Sequence, residues 1–397
     1  MAGIYIHIPF CRSRCAYCDF FSTTREAEID HYVDALCSEI EARSTELPLA
    51  HIHTIYIGGG TPSLLTHEQL LRILNTVYAF YTVDADAEVT MEMNPDDVDP
   101  PPTPPVREGS WLREINRISL GIQTFNDKIL RLIRRRHDSA TAIQAVKSLQ
   151  ATGFNNISID LIYGLPGQAM EQWDRDLGTA FSLGIQHLSA YALSYEPGTP
   201  LTRQRDAGHI HEAPEEMSVA MYERLCHYAH EAGFEHYEIS NFALPHHHSR
   251  HNSSYWTGEP YLGFGPGAHS YDGDRIRRAN RPDLDAYIAY WLAPSHQNTT
   301  TRPMSHDIVT TEHLTPSDLI DEAIMCGLRT AAGIDLPAFG RRFGQPCLDT
   351  LLRAAAPHIV AHRLLLLPEN AKPHTHLRIA EPSWMVADDI ISDLMTS

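Results

Sequence analysis

The strongest constraint on the fold is a repeating order of short β-rich runs and longer amphipathic stretches, sustained from Gly3 to about residue 290. The β-rich runs are Gly3–Ile8, His53–Ile57, Glu88–Met93, Arg117–Ile122, Asn156–Tyr163, His187–Leu193 and, more weakly patterned, His236–Asn241. Helical periodicity fills the intervals at Ile29–Ser44, Glu68–Tyr78, Asp127–Arg136, Ala140–Thr152, Met170–Leu183 and Pro214–Ala232. Alternation of this kind places a parallel sheet beneath a layer of helices, an α/β architecture. Six or seven such units suit a full or partial β/α barrel better than an open doubly wound sheet.

Polar and glycine-rich motifs follow the strands directly, at Cys11–Cys18, Gly58–Pro62, Glu92–Pro95, Gly121–Phe125 and Asp160–Pro166. In parallel α/β folds the carboxyl edge of the sheet is where ligands bind. Several independent strands therefore aim chemistry at one place.

Two segments interrupt the pattern. Asp99–Pro105 (DPPPTPP) cannot be helical, because proline removes amide donors and restricts its neighbours. It reads as an exposed polyproline-like connection where a helix would normally return the chain, a surface loop rather than a partner site. A second break, Ala293–Asp307, is rich in Ser, Thr, Asn and Pro. Beyond it come an amphipathic helix at Thr315–Arg329, shorter helices and a β-hairpin. The expected organisation is a barrel domain over residues 1–292 and a small helical domain over residues 308–397.

The chain has 397 residues, 43% of them hydrophobic, which is ample core material. A net charge of −19 argues against broad binding of nucleic-acid phosphates, which requires a positive surface. The N-terminal segment lacks a basic start followed by an apolar run, and no stretch reaches the ~20 apolar residues of a spanning helix. The expected location is cytoplasmic. Seven cysteines, three of them within residues 11–18, point to metal ligation rather than a disulfide framework. Cys37, Cys226, Cys326 and Cys347 lie scattered and read as small core residues.

The spacing CRSRCAYC puts Cys11, Cys15 and Cys18 on one short loop after the first strand. Three thiolates can hold three irons of a [4Fe-4S] cube and leave the fourth open to the amino and carboxylate groups of S-adenosylmethionine (SAM). An electron passed to the sulfonium then gives a 5′-deoxyadenosyl radical. Zinc, which CxxC pairs also bind, and unrelated buried cysteines are the rival readings. The glycines of Gly58-Gly59-Gly60-Thr61-Pro62-Ser63 let backbone approach a ligand closely, as the methionyl end of SAM would require.

These motifs, with EMNPDD, RISLGIQTFND, RRRH, IDLIYGLPGQ, YALSYEPGTP, HNSSYW and GLRTAAGIDL, resemble radical SAM proteins of the coproporphyrinogen oxidase type over nearly the whole chain. The resemblance implies a partial (β/α)6 barrel holding the cluster and SAM, covered on one side by a small helical domain. It implies Tyr5 and Tyr17 beside SAM, and Gly59, Gly60 and Thr61 at its amino-acid end. It implies polar contacts from Glu92, Gln123, Arg135 and Asp160. Carboxylates and an amide suit ammonium and hydroxyl groups, and arginine forks onto a carboxylate. Arg135 also fits a solvated helix face, whereas Asp160 within an apolar strand demands a partner.

Two branches of that family differ at the cluster loop. The oxygen-independent coproporphyrinogen III oxidases carry a fourth cysteine two residues after the third, and a long preceding segment. Here that position is Phe20, and ten residues precede Cys11. Both departures favour the HemW-type haem chaperones, whose CxxxCxxCxF and HNxxYW patterns are present. The implied protein binds haem and passes it to an apo-haemoprotein such as a respiratory cytochrome. It would draw electrons for the cluster from a donor, touch a membrane protein transiently, and lack coproporphyrinogen oxidase activity. The alternatives are that oxidase, or a radical SAM enzyme acting on another substrate. His251 is the candidate axial haem ligand, with Tyr255 and Trp256 shaping the binding face. The plainer reading of His251, which follows His246, His247 and His248, is an exposed histidine-rich loop. His269, in GFGPGAHSY, is a second candidate near the same surface and equally fits a turn histidine bonded to backbone, in a chain with 24 histidines.

Overall fold

A computed structural model describes residues 1–47, 51–98, 114–293, 308–368 and 373–395. The proline-rich segment 99–105 and nearly all of the 293–307 break lie outside the described residues.

Six parallel strands form the centre: β1 (Ala2–Ile8), β2 (Ile52–Gly59), β3 (Val83–Met93), β4 (Arg117–Gln123), β5 (Ile157–Tyr163) and β6 (His187–Ala192). Strand length follows sequence here, because alternate residues face a helix layer and the other set faces inward. Ile4, Ile6 and Ile8 are fully buried in the main apolar core with Leu36 and Ile40 of the helix Ile29–Ala42. Gly3, Tyr5 and His7 point the opposite way, into an interior that is polar: Thr54, Tyr56, Glu88, Thr90, Glu92, Arg117, Ser119, Ser158, Asp160 and His187 share it. The strands never close on themselves. The fold is an open, partial barrel, one of the two forms the repeating pattern allows and the one the resemblance implies.

The seventh β-rich run is not a seventh barrel strand. It folds as a hairpin of β7 (Glu235–Glu238) and β8 (Asn241–Ala243), with β8 antiparallel to β6. A turn at Ile239–Ser240 splits the run, leaving pieces too short for a parallel crossover.

The opposite edge carries β9 (Tyr261–Phe264), parallel to β1, then β10 (His269–Tyr271), β11 (Ile276–Asn280) and β12 (Val309–His313), all antiparallel. The sequence reading missed these four strands. They span three to five residues, and four of five positions in β12 are exposed. Their pairing is set by neighbours rather than by hydrophobic alternation.

After β12 the chain forms the helix Pro316–Leu328, started by a reciprocal cap in which Thr315 and Asp318 satisfy each other's backbone N–H. Three further helices and a small sheet of β13 (Ile334–Asp335), β14 (Leu364–Leu367) and β15 (His376–Ile379) complete this mostly helical region. The expected β-hairpin is the antiparallel pair β14–β15. No helix among the described residues is long and apolar enough to cross a membrane.

Candidate functional site: a thiol loop at one end of the barrel and a histidine helix at the other

The three thiols lie on the loop leaving β1, and all are free and partly exposed. Backbone hydrogen bonds fix the loop's base, from Cys11 N–H to Thr23 O (2.9 Å) and from Thr23 N–H to Pro9 O (2.7 Å). Ala16 is tied across the barrel mouth to Ile133 O at 2.9 Å. Burial raises the Cys11 thiol, and raises that of Cys18 to about 11, so both call for a cationic partner or metal before they ionise near neutrality.

The glycine run after β2 comes within touching distance of this loop. A Cβ added to Gly60 would stand 2.6 Å from Phe10 O and 3.0 Å from Cys11 Sγ, so only glycine fits. Next to it, Thr61 donates its hydroxyl to Cys11 Sγ at 3.6 Å. Among the described residues no three His, Cys, Asp or Glu side chains gather around one point as a single bound ion would require. The fit to a thiolate-held cluster therefore rests on the donor set and on the close cradle of Gly60 and Thr61.

Arg135 is no solvated helix residue. Its helix, Asp127–Leu132, has already ended, and Arg134 takes a left-handed conformation (φ 60°) that turns the next side chain inward. Arg135 then donates to Cys15 Sγ (3.4 Å), to Asn94 Oδ1 (2.6 Å) and to the Gly121 carbonyl. Asn94, from EMNPDD, also donates to Thr61 Oγ1 at 3.2 Å, which joins three motifs in one hydrogen-bonded set. Gln123 caps β4 at φ 72°, a strained conformation of the kind that persists at ligand sites.

Deeper in the mouth, Glu92 accepts from Tyr56 OH (2.8 Å) and from Gly59 N–H (3.0 Å). Burial outweighs both bonds and pushes its carboxyl up to about 7. Ser119 donates to Asp160 at 3.2 Å, and burial again raises the carboxyl, to about 6. The partners that Asp160 required are thus serines on the two neighbouring strands, Ser119 of β4 and Ser189 of β6. Tyr5 bonds His7 Nδ1 at 3.0 Å and stacks on Tyr56 at 6.2 Å between ring centroids. Tyr17 packs on the apolar cluster of Ile129, Ile133, Ile162 and Leu165, and its hydroxyl is held well above the usual range by burial. Sequence reasoning missed Tyr56 and Asn94. Asn94 stands inside EMNPDD and Tyr56 in the strand just before the glycine motif, and only the spatial pairing reveals what they hold.

HNSSYW forms the helix Arg250–Thr257, capped by Ser249 and ended by Gly258 in the left-handed conformation. It closes the N-terminal end of the barrel. Glu88 accepts from the backbone N–H groups of Arg250 (3.1 Å) and His251 (3.0 Å), a carboxylate at the positive helix start. His251 is 1% exposed, in contrast to the exposed loop its neighbours suggest. Its Nδ1 meets Thr54 Oγ1 at 2.8 Å, its Nε2 meets Tyr255 OH at 2.9 Å, and its ring stacks on Tyr56 at 5.1 Å. Burial pushes the imidazole down to about 3, so it is neutral at physiological pH. Tyr56 therefore bridges the two regions, touching Glu92 on one side and His251 on the other. Trp256 is partly buried on the same helix. His269 is exposed on β10.

Residues 5–180 match the radical SAM superfamily, and residues 314–364 match the HemN C-terminal domain. A protein of Bacillus subtilis (strain 168) named heme chaperone HemW is 34% identical over 378 residues, covering 95% of this chain and 96% of that one. One of the same name from Synechocystis is 37% identical, covering 87% and 83%. The solved structure of coproporphyrinogen III oxidase (HemN) from Escherichia coli superposes with a TM-score of 0.78 at 23% identity, across 100% of this chain and 90% of that one.

Proposed function

This chain belongs to the heme chaperone HemW family of radical SAM proteins, and we propose on that footing that it binds a [4Fe-4S] cluster, SAM and haem, and delivers haem to an apo-haemoprotein. One observation carries the reading: a single polar barrel holds a three-thiol loop at its mouth and a sealed, neutral histidine at its base. Cys11, Cys15 and Cys18 would hold the cluster, with the bonds from Thr61 and Arg135 stabilising charge on the sulfurs. Gly59, Gly60 and Thr61 would pass beside the amino-acid end of SAM, Arg135 would face its carboxylate, and Gln123, Glu92 and Asp160 would take its remaining polar groups. Tyr5 and Tyr17 would flank it. When bound, the cluster supplies an electron able to cleave the carbon–sulfur bond of SAM.

The histidine end supports haem ligation in a specific way. A proton on Nδ1 donated to Thr54 leaves the Nε2 lone pair facing the Tyr255 hydroxyl. Iron would take Nε2 once Tyr255 releases it. Position 20, where the oxidases carry a fourth thiol, is an exposed phenylalanine. The oxidase is the second reading, and at 23% identity its solved structure speaks for the fold alone. Seven free cysteines suit the cytoplasm, where a reductant would charge the cluster and a respiratory apo-cytochrome, reached through transient contact with a membrane protein, would accept haem. Residues 1–292 and 308–397 would serve as barrel and cover.

Titrating haem into the anaerobically reconstituted chain tests this. A Soret shift that is lost in His251→Ala, and transfer of haem to an apo-cytochrome, are expected. Identical spectra and affinity in His251→Ala would remove His251 from the site, and formation of protoporphyrinogen from coproporphyrinogen III would replace the chaperone with the oxidase.

A further inference from the structure

Among the described residues three arginines reach into the interior of this fold, Arg43 and Arg117 buried and Arg135 half-buried, and two of them have obvious partners. Arg43 bonds Glu39, Glu46, Ser270 and the Gly263 carbonyl. Arg135 bonds Asn94, Gly121 and Cys15. The third, Arg117, is 1% exposed and, among the described residues, forms no ion pair and no side-chain hydrogen bond, with Nε left unpaired. It stands at the start of β4 on the face that carries Ser119, so it points into the barrel. Directly across the register is Thr90 of β3, 0% exposed, whose hydroxyl also has no partner. The two carboxylates that flank Thr90 on that strand are already engaged, Glu88 by the backbone of the His251 helix and Glu92 by Tyr56 and Gly59.

A guanidinium presents five donors in a planar fork, and burying it unpaired is strongly unfavourable. Two adjacent unpaired groups on one wall lack a shared acceptor. The charge of Arg117 bears on both His251 and Asp160, so it lies between the base of the barrel and the SAM layer. We propose that Arg117, with Thr90, receives one propionate carboxylate of the haem whose iron binds His251. This rests on the haem reading above and adds the group that orients the porphyrin. A carboxylate matches the fork bidentately and accepts the threonine hydroxyl as a third donor.

The test compares mesohaem with its dimethyl ester, in which both carboxylates are blocked, by Soret titration of the full reconstituted chain. Wild type is expected to bind the free acid about tenfold more tightly than the ester. Arg117→Gln is expected to bring that ratio close to one, and Thr90→Val to lower it in part. Each ratio is taken within one variant, so a general loss of affinity cancels; if Arg117→Gln does not fold, Arg117→Lys and Thr90→Val carry the comparison. A wild-type chain indifferent to esterification, or folded variants that keep the full ratio, would overturn the propionate site while leaving haem binding intact. Failure of wild type to bind either form would remove the haem reading and this site together.

Discussion

At the scale of single residues, the mouth of the barrel is governed by carboxyls that burial keeps partly protonated. Glu92 titrates near 7 in the folded chain instead of 4.5, so it passes from mostly neutral to mostly ionised between pH 6 and 8. Because SAM presents an ammonium and hydroxyls, its affinity is expected to rise several-fold across that window and to be flat in Glu92→Gln. Equilibrium binding at pH 6, 7 and 8 reads this directly; an unchanged pH profile in the variant would take Glu92 out of the contact. Stability of the empty chain runs the other way. Between 4.5 and 7 the folded state holds a proton that the unfolded state has lost, so stability falls as pH rises through the window. Asp160, raised to about 6, adds a contribution of the same sign. Residue identities at this site were legible in the sequence because they stand in motifs at strand ends. The direction of Arg135 was not, since a single left-handed residue, Arg134, decides whether it meets water or sulfur.

At the scale of elements, the helix Arg250–Thr257 sets how His251 is presented. Tyr255 occupies Nε2 at 2.9 Å, so Tyr255→Phe is expected to free the nitrogen and tighten haem binding about tenfold, seen as a lower Kd in the Soret titration. Weaker binding in that variant would mean that Tyr255 contacts haem itself rather than competing with iron. Glu88→Gln weakens the charged cap under the same helix and is expected to lower stability by about 1 kcal/mol, measured by denaturant unfolding. The sequence named HNSSYW but could not place it. Thr54, the partner of His251, lies 197 residues away, and such a contact has no local signature. The six parallel strands were legible because their β-rich runs span five to eight residues and most end in glycine or polar motifs. The flank of β9 to β12 was not, because these strands are short and their burial does not alternate along the chain.

At the scale of the whole molecule, one buried carboxylate joins that flank to the barrel. Glu39, fully buried on the helix Ile29–Ala42, accepts from Arg43 (2.8 Å), Gly265 N–H (2.8 Å), Asn280 (2.8 Å) and Tyr287 (2.5 Å). Four donors satisfy the charge, and removing it strands Arg43 without its closest anion. Glu39→Ala is expected to cost about 3–5 kcal/mol in unfolding free energy. A loss below about 1 kcal/mol would show that the flank docks by its apolar contacts alone. The barrel is thus a single frame with the thiol loop at one end and the histidine helix at the other, and Tyr56 reaches Glu92 on one side and stacks on His251 on the other.

That arrangement depends on an iron–sulfur cube with one corner left to SAM. Electron paramagnetic resonance of the dithionite-reduced, anaerobically reconstituted chain reads it most directly. The expected spectrum is that of a reduced [4Fe-4S] centre whose g-values move when SAM is added, absent when serine replaces any one of Cys11, Cys15 and Cys18. A spectrum that SAM leaves unchanged, or a serine variant that keeps the full signal, would contradict it.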